Sequence, residues 1–177
     1  DDAQAQLKGP WSRSSNFKPH LGTGYLHDDK RADGQSIAIF RFKAPKPGKY
    51  DLRMAYSAHE TRATKVPVMI ESGGRRTELT VDQTKPLPAG EAFRSIGTVE
   101  LNGETTLTLT NKETDGFVIL DALGRTLAAK RRDAVAARAA SGVEEEWTGD
   151  EEFYQGYDDA NRHEFARTTD KPRVTGT

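Results

Sequence analysis

Residues 66–82, "VPVMIESGGRRTELTVD", decide the fold. Val66, Val68 and Ile70 occupy every second position, and Leu79 and Val81 resume that period after "SGGRR", which predicts two strands joined by a tight turn at the glycines. Pro67 has no N–H to give a ladder, so its strand lies at an edge or begins there. Upstream, "KYDLRMAYS" (49–57) alternates Tyr50, Leu52, Met54 and Tyr56 with Asp51, Arg53 and Ala55, which predicts one face on the core and the other in water. Downstream, "ETTLTLTN" (104–111) alternates Leu107 and Leu109 with threonines after the turn "LNGE". In "SIAIFRFK" (36–43) the apolar phase moves from Ile37 and Ile39 to Phe40 and Phe42, which a bulge near Ile39 or cover on both faces would explain. From Trp11 to about Leu123 such segments are punctuated by Gly, Pro, Asn and Asp, the pattern of an all-β, antiparallel β-sandwich.

Past Leu123 the character changes. "LAAKRRDAVAARAASG" (127–142) is rich in Ala and Arg, sets Lys130, Arg131, Arg132 and Arg138 against the single acid Asp133, and has Gly142 as a stop; it is predicted to be a basic helix. Residues 143–160 carry acids and no Lys or Arg, with Trp147, Phe153, Tyr154 and Tyr157 among them, a composition that does not easily build its own core. The expected organisation is therefore an N-terminal extension (1–8), a sandwich domain (9–126), a basic helix (127–142) and an acidic, partly disordered tail or linker (143–177). The opening "DDAQAQLKGPW" reads as the start of a piece of a longer protein.

The net charge is −1, so no global field argues for nucleic acid or an anionic membrane as partner. No apolar run is long enough to span a bilayer. The absence of cysteine removes disulfides and thiolate chemistry. His20, His27, His59 and His163 form no zinc-hydrolase signature, and neither a nucleophile elbow nor a phosphate loop is present. No enzyme is expected.

In "GYLHDD" the period of an extended segment projects Tyr25 and His27 together, a ring for a sugar face and an imidazole for a hydroxyl; the plain alternative is that Tyr25 packs under a loop that His27 caps. "AHETRATK" sets His59, Glu60 and Arg62 on a loop, where binding groups collect on rigid scaffolds. Asp82 and Gln83 stand at a strand end, able to bond the backbone of the next turn. Asn111, Asp115 and Asp121 admit calcium as a minority reading, without EF-hand spacing, and no cofactor is expected. A carboxylate at Asp121, beside the apolar "FVIL", needs hydrogen bonds or an arginine to offset burial, and is read as structural, either facing the sheet edge or set in a hydrogen-bonded joint between the first strand and the last.

The ordered segments "GPWSRSSNFKPHLGTGYLHD", "PGKYDLRMAYSAHETRATKVPVMI", "TVDQ", "SIGTVEL" and "TNKETDGFVILDAL" resemble the golvesin and xanthan-lyase carbohydrate-binding-like domain family across residues 9–123. The resemblance implies a jelly-roll sandwich of galactose-binding-like kind, appended to larger secreted enzymes such as polysaccharide lyases and flavin-dependent oxidoreductases, and hence a secreted or cell-envelope location. Trp11, Tyr25, His27, Arg62, Asp82, Gln83, Asp115 and Asp121 match its recurrent positions, while Thr61 stands where the family often has Asn. The expected function is a noncatalytic module binding polysaccharide, with Tyr25, His27, Arg62, Asp82 and Gln83 as ligand residues and Trp11, Asp115 and Asp121 as structural ones. The alternative is an interaction domain that packs against a neighbouring domain of its parent enzyme; few exposed aromatics and an apolar patch on the helix side would favour it.

Overall fold

The computed structural model describes residues 5–128 and 152–155. Its strands are β1 (Gln6–Lys8), β2 (Ser12–Ser14), β3 (Tyr25–His27), β4 (Ile37–Lys43), β5 (Gly48–Ala55), β6 (Val66–Ser72), β7 (Arg75–Val81), β8 (Arg94–Leu101), β9 (Glu104–Thr110), β10 (Ile119–Leu120), β11 (Ala122–Leu127) and β12 (Glu152–Gln155). A five-stranded sheet runs β1-β4-β9-β6-β7; the other layer holds β12-β11-β5-β8 and the smaller β10-β3-β2. The ladders between these strands are antiparallel. Between β4 and β10 the chain repeatedly crosses from layer to layer, as in a jelly roll. Phe40, Val68, Ile70, Leu107 and Leu109 of the first layer meet Leu52, Met54, Leu101 and Leu123 of the second in one core nearly sealed from water. Each such side chain contributes about 1.5–3 kcal/mol on burial. The fold is the all-β antiparallel sandwich expected from the alternating strands.

The β6–β7 hairpin pairs Val66 with Val81 through to Ser72 with Arg75. Gly73 and Gly74 turn it with φ of 55° and 77°, both left-handed, which is the two-residue turn whose twist suits the strands. A Cβ on Gly73 would also stand 2.9 Å from that of Asn102. Although β6 is not an edge strand, its ladder with β9 starts at Val68, so Pro67 stands at the strand's beginning and faces only Thr80 of β7. The register between β4 and β9 is unbroken from Ile37 to Lys43. Ile39 is buried along with Phe40 and Phe42, so cover on both faces, not a bulge, explains the phase change. The irregularity lies instead between Leu52 and Arg53 of β5.

The watery second face expected for β5 is not there. Asp51, Arg53 and Ala55 are all buried, because residues 91–95 fold over them. The Ser95 hydroxyl donates to Asp51, Arg53 pairs with Glu91 and donates to the Phe93 carbonyl (3.2 Å), and Ala55 packs with Phe93 and Ala122. Paired charge and hydrogen bonds let a polar alternation sit inside.

At the ends, β1 falls within the stretch read as an extension yet pairs with β4. The helix expected over 127–142 lies outside the described residues beyond Ala128; of the tail only β12 is described, antiparallel to β11. Among the described residues no helix is long and apolar enough to cross a membrane.

One glycine fixes how the loops at one end of the sandwich stack. A Cβ on Gly116 would come within 2.4 Å of the Arg62 carbonyl carbon and 2.6 Å of the Ala63 nitrogen. Gly116→Ala should therefore cost about 1–3 kcal/mol through forced backbone displacement. A urea titration would show a lower midpoint at unchanged slope; an unmoved midpoint would refute this reading of the crossing.

Candidate functional site

Backbone bonds draw three loops together at that end. Arg62 N–H donates to His59 O (3.0 Å), Phe117 N–H to Thr61 O (3.0 Å), Ala63 N–H to Phe117 O (2.9 Å) and Gln83 N–H to Ala63 O (2.9 Å). Gln83 is wholly buried; its Nε2 donates to Ile119 O (2.7 Å) and its Oε1 accepts from Ile119 N–H (2.8 Å). Both ends of the amide are thus spent on one residue of β10. Thr61 donates its N–H to His59 Nδ1 (3.2 Å), with its hydroxyl 2.9 Å from the same nitrogen.

Arg62 is the centre of the arrangement. It is only 5% exposed, and its guanidinium carbon lies 4.6 Å from the ring centroid of Phe17, 5.7 Å from Tyr25 and 5.9 Å from Phe117. Nε donates to Ser57 O (3.1 Å), and Nη2 to Tyr25 Oη (3.3 Å) and Ser57 Oγ (3.4 Å). Aromatic faces attract such a cation most when it is desolvated. The structure therefore brings Tyr25 and Arg62 into contact, with Tyr25 buried. His27 stands beside them, its ring edge-on to Phe117 at 5.8 Å and its Nδ1 accepting from Asp29 N–H (3.3 Å). Phe17, 37% exposed, packs against His59 at 4.6 Å and is the exposed large hydrophobic side chain among the described residues.

The acids are placed separately. Asp82 accepts from Thr84 Oγ1 (2.6 Å) and N–H (3.0 Å), bonds that hold its carboxyl below the usual range. Asp115 accepts from the Thr64 hydroxyl and N–H (2.7 Å), which lowers it likewise. Asp121 interrupts the strand between β10 and β11, the point at which the chain leaves one sheet and enters the other. Its Oδ2 accepts from Leu21 N–H (3.0 Å), in the loop before β3. Burial pushes its carboxyl up to about 6, opposed by that bond and by His20. Asn111 is buried elsewhere, accepting from Ser36 N–H (3.2 Å) and donating to Asp28 (3.0 Å) and Asp33 (3.2 Å). Asn111, Asp115 and Asp121 thus have three separate sets of partners, and among the described residues no group of three or more His, Cys, Asp or Glu side chains is arranged to hold a metal ion. Trp11 donates to Lys8 O (3.2 Å) and borders a groove of about 590 Å³ with Leu7 and Leu26.

Sequence reading missed Phe17, Phe117 and Asp28. The signal for Phe17 was an aromatic in the polar loop "SSNFKPHLG", with no strand to bury it. Asp28, wholly buried, accepts from Val118 N–H (2.8 Å), 90 residues away, and nothing local announces that.

A layered sandwich with a ring-lined loop end defines this protein as a β-sandwich module. It belongs to the golvesin C-terminal domain family, whose model matches residues 1–125, confirming the resemblance read from the motifs. A xanthan lyase of Bacillus sp. (strain GL1) is 30% identical over 128 residues, 70% of this chain and 13% of that protein. The structure of a Paenibacillus xanthan lyase superposes with a TM-score of 0.61 at 28% identity, over 71% of this chain and 12% of that one. A family 35 carbohydrate-binding module from Clostridium thermocellum gives a TM-score of 0.47 at 17% identity, over 70% of this chain and 92% of that one. The chain therefore spans a small fraction of the xanthan lyases that it matches.

Two outcomes follow from the buried polar groups. Gln83→Leu leaves the Ile119 N–H and carbonyl unpaired and should cost at least about 2 kcal/mol in chemical denaturation; a smaller loss would mean that water replaces the amide. For Asp121, the folded carboxyl lies above its ordinary 3.8, so its favourable contribution is complete below about 3.8 and lost as pH rises through about 6. Asp121→Asn should therefore be about 1–3 kcal/mol more stable than the parent at pH 7.5, the difference vanishing near pH 4. Melts of the two proteins that run parallel across that range would contradict this.

Proposed function

We propose that this domain is a noncatalytic accessory module that binds polysaccharide at the loop end formed by Phe17, Tyr25, His27, His59 and Arg62. The carrying observation is the exposed Phe17 ring, held by the Arg62 guanidinium beneath it and His59 beside it. A fixed aromatic face offers the C–H side of a pyranose a stacking surface at little entropic cost; His59 borders it, and His27 stands against Tyr25 and Phe117, each an imidazole for hydroxyls. Family membership and the likeness to part of xanthan lyases support the reading and point to polysaccharide as the ligand class, to secretion or the cell envelope as the location, and to a larger parent protein. Asp82 and Gln83 serve this site by holding the loops in place.

The docking alternative keeps one argument: a single large apolar side chain, Phe17, is exposed among the described residues. The apolar patch on the helix side that it also requires falls outside them.

Affinity electrophoresis through gels containing xanthan, polygalacturonate, alginate, dextran or mannan tests the proposal. At least one polymer should retard the protein, and Phe17→Ala should abolish most of that retardation while its melting temperature stays within a few degrees of the parent. Free migration through every gel would overturn the proposal, as would retardation that Phe17→Ala leaves intact.

A further inference from the structure

We infer that Arg62 reads a carboxylate carried on the glycan, so that the module selects uronate-containing polymers over neutral ones; this rests on the binding site proposed above. A buried guanidinium ordinarily has an acidic partner, since an unpaired buried charge is costly. Arg53 follows that rule with Glu91. Arg62 does not: among the described residues no carboxylate lies within ion-pair distance of it, and its only polar partners are the neutral Ser57 and Tyr25. The neighbouring acids are committed elsewhere, Asp115 to Thr64 and Asp82 to Thr84 and Lys85.

The geometry also shows which edge is open. Nε and Nη2 form a fork gripping Ser57, with Tyr25 taking a further bond from Nη2. Nη1 makes no hydrogen bond among the described residues and is not sealed from solvent. Rings crowd around the cation, yet Phe17 is itself partly in water. A cation with two free N–H groups beside an exposed ring fits a pyranose that bears its own carboxylate: the sugar face meets Phe17 and the acid meets Nη1. Charge-assisted bonds from arginine to a carboxylate are about twice as strong as neutral ones, and a low-dielectric cage strengthens them further.

The test compares xanthan, polygalacturonate and alginate with the same polymers after their carboxyl groups are reduced to alcohols, using the wild-type protein so that folding is not in question. Binding to the retained polymer should fall at least tenfold on reduction. Arg62→Lys, which keeps the charge but not the guanidinium, and Arg62→Met should each bring the ratio of binding to native over reduced polymer down toward one, whatever either substitution does to the Phe17 ring that Arg62 supports. Equal binding to native and reduced polymers, or retention by dextran or mannan alone, would overturn the carboxylate assignment and leave the polysaccharide reading standing. Equal binding to dextran sulfate that vanishes in moderate salt would overturn it too, as unspecific attraction. No binding to any polymer would bring down the earlier reading, and this one with it.

Discussion

The Gln83 amide is the contact on which the loop end depends. Fully buried, it closes two hydrogen bonds on Ile119, and its own backbone N–H reaches the Ala63 carbonyl. Through Ala63 the chain of bonds continues to Phe117, in the loop just before β10. Gln83, just beyond β7, thus ties Ile119 through its side chain and Ala63 through its backbone, the two segments that flank Phe117 and Arg62. In an interior of low dielectric, each of those bonds is strong and each omission is expensive. That makes the amide a positioning device as much as a source of stability.

The cage itself reverses the usual way of burying a charge. Arg53 is held by an acid and a carbonyl, whereas Arg62 is held by rings and neutral oxygens. Rings lower the cost of removing a cation from water without cancelling its charge. Arg62 consequently keeps its charge without an acid partner among the described residues.

Much of the layered architecture was legible in the sequence because alternation has only one cause in a strand. Val66, Val68 and Ile70 against "SGGRR" gave the hairpin with its turn, and Pro67 confined its strand to an edge or a beginning there, of which the β9 ladder shows the second. What alternation does not reveal is who covers the second face, and Asp51 and Arg53 of β5 were misread for that reason: their cover comes from residues 91–95, some forty positions away. Tyr25 and His27 were paired by the alternation of one extended segment, whereas Arg62 joined them through family motifs and its place on a loop, since a strand and a loop far apart in sequence carry no mutual signal. Phe17 and the Asp28 network stayed invisible because their partners are supplied by tertiary packing.

Asp121 divides a continuous run of chain between two sheets, with Leu120 opposite Leu26 on one side and Ala122 opposite Ala55 on the other. A strand shared in this way ties the slippage of one ladder to that of its neighbour, because moving the pairing by one position turns the inward residues of both outward. A register slip of β3 against β10 therefore cannot be accommodated without displacing β11 against β5.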